Sequence, residues 1–173
     1  KRPMIYMGGG VLLSEATEQL IKFAEKIECP VCSSVMGLGG FPASHKLFLG
    51  TLGMHGAYET GKTTANADLI IAVGARFSDR VAGDREKFGE NATIIHMDID
   101  KAEINKNVKS KFSLIGDLKD TLTTLTALCE SKSNPEWLKE ISDWKAQFDK
   151  TPEYNSKDFA HAYHIIESVQ KLT

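Results

Sequence analysis

Short apolar runs alternate with stretches of helical spacing through the first 130 residues, and this alternation limits the folds open to the chain. Each run is apolar throughout, which is typical of strands buried on both faces of a sheet. Helices that separate such strands predict parallel pairing with right-handed crossovers. We therefore expect an α/β fold, with a doubly wound parallel sheet and helices on both faces. The predicted strands are Ile5 to Met7, Cys29 to Ser33, Leu69 to Val73, Thr93 to Met97 and Phe112 to Ile115.

The segments between these runs predict helices and one long loop. From Ser14 to Ile27 apolar residues recur at helical spacing, and Ser14 is expected to cap that helix. Ala57 to Ala67 and Leu118 to Cys129 are also expected to be helical. By contrast, the glycine-rich stretch from Met36 to about Gly56 predicts a long loop.

The composition changes after Cys129, where a polar connector precedes one more helical pattern that carries Trp137 and Trp144. Residues 151–161 are expected to be irregular, and Tyr163 to Leu172 to form a short terminal helix. Two tryptophans on a helix outside the sheet pattern predict that this helix packs against another part of the protein. Its partner is either this domain or a neighbouring one.

Composition and charge exclude several classes of protein. The net charge is -2 with acids and bases interspersed, which argues against a nucleic-acid-binding face. No apolar run approaches the roughly 18 to 20 residues that a membrane helix needs. Three cysteines, an odd number, favour a reducing compartment, either the cytoplasm or an organelle matrix. The chain starts on a strand-like segment without a start methionine or signal pattern, which we interpret as an excised piece.

Small and charged residues follow the predicted strands, where ligands of open parallel sheets bind. Glycines let a diphosphate approach backbone N–H groups, arginine neutralises it, and carboxylates accept ribose hydroxyls. The sequence therefore predicts a dinucleotide site along one edge of the sheet. Its elements are Gly8-Gly9-Gly10, Ser33-Ser34-Val35-Met36-Gly37-Leu38-Gly39-Gly40, Gly74-Ala75-Arg76, Asp98-Ile99-Asp100 and Gly116-Asp117.

These elements also have simpler interpretations. The first glycine cluster is equally consistent with a plain tight turn, and Leu13 stands where G-x-G-x-x-G requires its third glycine. Asp98 and Asp117 are equally suited to capping the helices that follow them. A capped helix N-terminus can also face a phosphate, so the interpretations are compatible.

Cysteines and histidines do not complete a catalytic site. Cys29 and Cys32 have redox-motif spacing, but the pair runs from a helix end into a strand, which favours buried structural cysteines. For His55, within Gly53-Met54-His55-Gly56, a ligand contact and a plain loop position are equally open. His96 lies inside an apolar strand and is expected to be a satisfied core residue.

Four motifs occur together in the chain, and as a set they are specific. They are Gly37-Leu38-Gly39, Leu52-Gly53-Met54-His55-Gly56, Ala67 to Phe77 with Asp79-Arg80-Val81, and His96-Met97-Asp98-Ile99-Asp100. Together they resemble the central domain of acetolactate synthase large subunits, a family of thiamine-diphosphate enzymes. On this resemblance, residues 1–130 form a Rossmann-like domain of the deoxyhypusine-synthase-like NAD/FAD-binding type. Residues 131–161 are then a linker with one helix, and residues 162–173 start the following thiamine-diphosphate-binding domain.

The resemblance also implies an activity for a longer parent chain. Such enzymes decarboxylate pyruvate on thiamine diphosphate and join the two-carbon unit to a second 2-oxo acid, in branched-chain amino-acid biosynthesis. Their catalytic glutamate lies in the preceding domain, and their Mg²⁺ and diphosphate motif lies in the following one. The fragment itself is thus expected to be inactive. Implied partners are the neighbouring domains, further copies in a dimer or tetramer, and a regulatory subunit.

The middle domain of this family holds FAD, which plays no net redox part in the reaction. The resemblance assigns FAD contacts to Gly8, Gly9, Ser34, Val35, Gly53, Met54, His55, Gly56, Gly74, Arg76, Asp98, Ile99 and Asp117. It assigns Met54, Asp79 and Arg80 to the substrate entrance, with Arg80 meeting a substrate carboxylate. From the residues alone, Asp79 and Arg80 predict only an exposed ion pair of little energetic value.

Two alternative functions remain open from the sequence. One is the middle domain of another thiamine-diphosphate enzyme, either a pyruvate oxidase, in which the flavin does redox work, or a glyoxylate carboligase. The other is a stand-alone NAD-binding module that shares the sheet, of a sirtuin-like or deoxyhypusine-synthase-like kind.

Overall fold

A parallel sheet of six strands forms the centre of the domain in the computed structural model, which describes residues 1–148 and 162–172. The strands are β1 (Pro3–Met7), β2 (Val31–Ser33), β3 (Phe48–Thr51), β4 (Leu69–Val73), β5 (Thr93–Asp98) and β6 (Phe112–Ile115). Their order is β3-β2-β1-β4-β5-β6, and every neighbouring pair is parallel. This order reverses direction between β1 and β4, as in Rossmann dinucleotide-binding sheets. The predicted doubly wound α/β fold is confirmed.

Helices lie on both faces of this sheet, and the inner strands β1 and β4 are almost wholly buried, whereas the residues of the outer strand β6 are exposed. The helices are α1 (Gly10–Leu13), α2 (Thr17–Lys26), α3 (Tyr58–Asn66), α4 (Asp79–Ala82), α5 (Leu118–Leu128), α6 (Pro135–Phe148) and α7 (Ala162–Leu172). On one face, Leu20 of α2 and Leu122 of α5 join a buried cluster with Ile5 and Val73. On the other face, side chains of β1 and β4 form a second cluster with Phe77 and residues from the loops between strands.

The helix expected from Ser14 to Ile27 begins later, at Thr17, and a separate short helix that was not predicted, α1, precedes it. Glu15 has a φ of 51°, a left-handed conformation that separates α1 from α2. The Ser14 hydroxyl donates to the carbonyl of Gly10 at 2.7 Å, at the end of α1. Ala16 occupies the N-cap of α2 and offers no side-chain hydrogen bond. The predicted capping by Ser14 is therefore wrong.

An edge strand lies inside the stretch that was expected to be a long loop. Strand β3 pairs in parallel with β2, with a shift of register between Val31 and Cys32. Its residues are only partly buried, and Gly50 has a φ of 96°, so the apolar pattern of a strand is lost. The short helix α4 also went unpredicted. The other predicted strands and helices agree with the structure, apart from small differences at their ends.

Helix α6 packs on this domain, at the edge of the sheet where the strands begin, which we call the amino edge. The Trp137 indole N–H donates to the carbonyl of Pro3 at 2.9 Å. The Arg2 guanidinium lies 5.1 Å from the centre of that ring and pairs with Glu140 at 2.8 Å. Of the two partners left open for the tryptophan helix, the structure selects this domain.

The predicted terminal helix is present as α7, whereas the stretch 151–161 that was expected to be irregular lies outside the described residues. Among the helices that the structure describes, none combines the length and apolar character needed to cross a membrane.

Candidate functional site

The ends of the strands form the second edge of the sheet, which we call the carboxyl edge. At its centre, where the strand order reverses, the loops after β1 and β4 pack directly on each other. Gly10 N–H donates to the carbonyl of Gly74 at 3.1 Å, and a Cβ on Gly8 would lie 2.2 Å from the same oxygen. Gly74 itself has a φ of 55°. These glycines are therefore required by the close approach of two loops, whatever else they contact.

The loop after β2 lies against the same centre. Ser34 N–H donates to the carbonyl of Met7 at 2.9 Å, and the Ser34 hydroxyl accepts from Gly37 N–H at 3.2 Å. A Cβ on Gly9 would lie 3.1 Å from the carbonyl of Met36. The structure thus brings the predicted site residues Gly8, Gly9 and Ser34 together, with Val35 exposed beside them.

The G-M-H-G loop after β3 meets the start of α4. Met54 N–H donates to the carbonyl of Arg80 at 3.0 Å, and a Cβ on Gly53 would lie 2.5 Å from that oxygen. Met54 and Arg80, both predicted to line a substrate entrance, are therefore neighbours. Asp79 and Arg80 are exposed, and within residues 1–148 neither forms a salt bridge, so the expected ion pair is wrong. His55 is exposed, and Gly56 N–H closes the loop onto the carbonyl of Gly53 at 2.9 Å.

Arg76 is the cation of the loop that follows β4. Its side chain is 73% exposed, and its Nε lies 3.7 Å from Oε1 of Glu103, whose side chain is only 8% exposed. The same carboxylate oxygen accepts from Lys106 Nζ at 2.8 Å. Glu103 was not a predicted site residue, because nothing in the polar stretch around it indicates burial.

The carboxylates after β5 and β6 have separate local roles. Asp117 is the N-cap of α5 and accepts from the N–H groups of Lys119 and Asp120, at 2.8 and 3.2 Å. Asp98 is buried and accepts from Asp100 N–H at 2.9 Å. The capping interpretation is therefore confirmed for Asp117. After β5 it is Asp100, not Asp98, that caps the short 3₁₀ turn that follows.

Polar groups inside the sheet belong to the core. His96 Nε2 lies 3.0 Å from the carbonyl of Ala75, while its buried Nδ1 has no partner among the described residues. Burial lowers the pKa of His96. Cys29 and Cys32 are free, fully buried thiols whose pKa values are raised by burial, as expected of structural cysteines.

Large apolar side chains are exposed along the carboxyl edge. The most exposed are Leu13 at 89%, Met36 at 77%, Met54 at 72% and Ile99 at 71%. Met36 stands in the loop that was predicted to face a ligand, whereas Leu13, at the end of α1, was not predicted to be a surface group. Exposed apolar side chains at several neighbouring strand ends are typical of surfaces that contact a ligand or another domain.

The candidate site is long. The loop that carries Met54 follows one outer strand and Asp117 follows the other, so the two ends lie roughly 24 Å apart at about 4.8 Å for each of five strand steps. Within the described residues, no group of three or more His, Cys, Asp and Glu side chains could hold a metal ion. The edge combines packed glycine loops, the exposed arginines Arg76 and Arg80, carboxylates and apolar side chains, which suits an extended ligand with a phosphate group and apolar rings.

Strand order and helices on both faces define a Rossmann-like α/β domain. Residues 1–125 match the family described as thiamine pyrophosphate enzyme, central domain, and the chain belongs to that family. Its relatives include the acetolactate synthase large subunit of Buchnera aphidicola, 42% identical over 178 residues, and a probable one of Methanocaldococcus jannaschii, 46% identical over 186 residues. Both alignments cover 100% of this chain and 31% of the relative.

A third relative is the acetolactate synthase isozyme 3 large subunit of Escherichia coli, 42% identical over 150 residues. That alignment covers 87% of this chain and 26% of the relative. The chain therefore spans less than a third of the length of these relatives.

Proposed function

We propose that this chain is the FAD-binding and scaffolding middle domain of an acetolactate synthase large subunit. The full chain would condense pyruvate with a second 2-oxo acid on thiamine diphosphate and Mg²⁺, in branched-chain amino-acid biosynthesis. The observation that carries the proposal is the carboxyl edge, where a Rossmann strand order is combined with an exposed arginine and exposed apolar side chains.

The residues of this edge fit FAD in charge and in length. Arg76 would neutralise the diphosphate, since its side chain is exposed and it stands two residues after Gly74 of the central loops. Asp98 and Asp117 supply carboxylates for hydroxyl groups, and Met54 and Ile99 supply apolar surface for the rings. An edge of roughly 24 Å suits an extended dinucleotide better than a compact ligand.

FAD would supply a flavin that takes no net part in the redox balance of this reaction. The domain would then act by binding the cofactor and by serving as a scaffold. Met54, Asp79 and Arg80 would line the substrate entrance, where the Arg80 cation attracts a 2-oxo acid carboxylate. The closeness of Met54 N–H to the Arg80 carbonyl supports a shared role for these residues.

Catalysis would depend on parts outside this chain. We assign the catalytic glutamate to a preceding domain and the site for thiamine diphosphate and Mg²⁺ to a following one. The 173-residue chain alone is then inactive. Its partners would be those domains, further copies of the same subunit, and a regulatory subunit, the last being suggested by the term "large subunit" in its relatives' names. The cytoplasm, or an organelle matrix, is the expected location.

The test is a titration of the intact gene product, freed of flavin, with FAD and with NAD, followed by flavin fluorescence and by calorimetry. We expect saturable FAD binding with one site per chain and no competition by NAD. Preference for NAD, or no binding of either, contradicts the proposal.

A second assay separates the related enzymes. Pyruvate added without oxygen should leave the flavin absorbance unchanged while acetolactate forms in the presence of thiamine diphosphate and Mg²⁺. Bleaching of the flavin by pyruvate would instead favour the pyruvate oxidase alternative.

A further inference from the structure

One glutamate beside the proposed cofactor site is buried although it carries a charge. Glu103 ends the short turn Lys101–Glu103 after β5, and its side chain is 8% exposed. Its Oε1 accepts from Lys106 Nζ at 2.8 Å and lies 3.7 Å from Arg76 Nε. A buried carboxylate needs compensation of this kind, because burial alone disfavours the charged form.

The two cations contribute differently to this compensation. Lys106 lies three residues further along the same segment and makes a hydrogen bond, so it already satisfies the charge of the carboxylate locally. Arg76 comes from a different strand end, at an ion-pair distance that is too long for a hydrogen bond. The contact with Arg76 is therefore better explained by Glu103 holding the Arg76 guanidinium in place than by Arg76 compensating the charge of Glu103.

The contact of Glu103 with Nε leaves the two terminal nitrogens of Arg76 available to a ligand. An arginine that is 73% exposed would otherwise sample many rotamers, and ordering it on binding costs conformational entropy. Glu103 approaches through Nε, at the inner side of the guanidinium. The two terminal nitrogens are the pair that can make a bidentate contact with phosphate oxygens.

We infer that Glu103 is a positioning residue, which holds the Arg76 guanidinium in place for the diphosphate of the bound dinucleotide. This inference rests on the proposed function, since it deepens the account of the same site. It assigns to Glu103 an effect on cofactor affinity that depends on the presence of Arg76.

The experiment measures FAD affinity in the intact gene product, freed of flavin, for Glu103→Gln, for Arg76→Ala and for the double variant. Glu103→Gln should weaken binding about fivefold to tenfold, as expected for coupled neighbours. In the Arg76→Ala background it should cause no further loss. Glu90→Gln is the matched control, because Glu90 is an exposed glutamate before β5, and it should leave affinity unchanged.

The outcomes separate the two proposals. If the unmodified protein does not bind FAD, the proposed function fails. If it binds FAD and Glu103→Gln has no effect, or the same effect with and without Arg76, the positioning role is overturned, because a merely structural role would persist in both backgrounds. Thermal unfolding should show that each variant is folded.

Arg76→Lys keeps the inference testable if Glu103→Gln does not fold. Lysine retains the charge but has a single nitrogen, which cannot contact Glu103 and also present a fork to phosphate. FAD affinity should fall about fivefold or more. Affinity equal to that of the unmodified protein would overturn the inference.

Discussion

The two edges of the sheet are completed in different ways. At the amino edge, α6 covers the start of β1, with Trp137 buried and hydrogen-bonded to Pro3. At the carboxyl edge, Met36 and Met54 remain exposed beside tightly packed glycine loops, and Arg76 points away from the core. The chain thus covers the start of β1 with its own helix, whereas it leaves large apolar side chains exposed at the ends of the strands. Substitutions at the two edges should therefore have different consequences.

The largest effect is expected at the amino edge. Trp137→Ala should reduce the free energy of unfolding of this chain by about 3–5 kcal/mol, because a buried indole and its hydrogen bond are lost. Urea unfolding measures the change, with Trp137→Phe as a control that keeps most of the apolar area and should cost less. FAD affinity of folded Trp137→Ala should be unchanged, and a large loss of affinity would contradict the separation of the edges.

The second effect concerns the packed centre of the carboxyl edge. Gly8→Ala should cost about 3 kcal/mol, since the new Cβ would meet the Gly74 carbonyl at 2.2 Å and the backbone must shift. Gly61→Ala is the matched control, because Gly61 lies in helix α3 and a Cβ at this position would meet nothing within 4 Å. This control should stabilise the chain by about 0.5–1 kcal/mol. Equal unfolding midpoints for the two variants would refute the packing argument.

A smaller effect is expected at the N-cap of α5. Asp117→Ala removes the acceptor for two backbone N–H groups and should cost about 1 kcal/mol of stability. Asp117→Asn keeps an acceptor oxygen and should retain most of that stability. FAD affinity is measured for both variants, to separate a role in the helix cap from a role in binding. If Asp117→Asn loses FAD affinity but keeps its stability, the carboxylate makes a contact with the ligand.

The fourth effect depends on pH and lies at the amino edge. Hydrogen bonds from the Ser133 hydroxyl and the Asn134 N–H lower the pKa of Glu28. Because the folded pKa is depressed, the contribution to stability is present above the ordinary glutamate range and is lost as pH falls through the folded value. It should be under about 1 kcal/mol, because the carboxylate is screened by water. An NMR titration of Glu28 showing a pKa at or above the usual glutamate value would contradict this.

The smallest effect on stability is expected at Met54, and its near neighbour Leu52 provides the contrast. Met54→Ala should change stability by less than about 0.5 kcal/mol because the side chain is exposed, whereas Leu52→Ala should cost about 2–4 kcal/mol because Leu52 is buried. Thermal unfolding of both variants measures the difference. Similar costs at the two positions would mean that Met54 is not part of an open surface.

Much of the fold follows from local pattern. The run Leu69–Val73 is apolar throughout and forms the strand that was predicted from it. Strand β3 was missed because Gly50 and partial burial hide its pattern, and α2 begins later than expected because Glu15 turns left-handed. The pairing of β3 with β2 joins two separate segments, and local spacing does not contain that contact.

The candidate site was predictable to a different degree. Residues after the strand ends could be placed on one edge, because parallel strands all end there. The packing of Gly8 on Gly74 and the burial of Glu103 could not be predicted, since each depends on two segments far apart in the chain. Nor does sequence alone decide which apolar residues near the strand ends stay exposed, as Leu13 and Met36 do.

The most direct test of the account is hydrogen–deuterium exchange of the intact gene product with and without FAD. We predict slower exchange in the loops at the carboxyl edge, around Gly9, Ser34, Met54 and Arg76, and unchanged exchange at the amino edge around Trp137. Protection at the amino edge, or no protection at the carboxyl edge at saturating FAD, would contradict the claim that the open edge is the cofactor site.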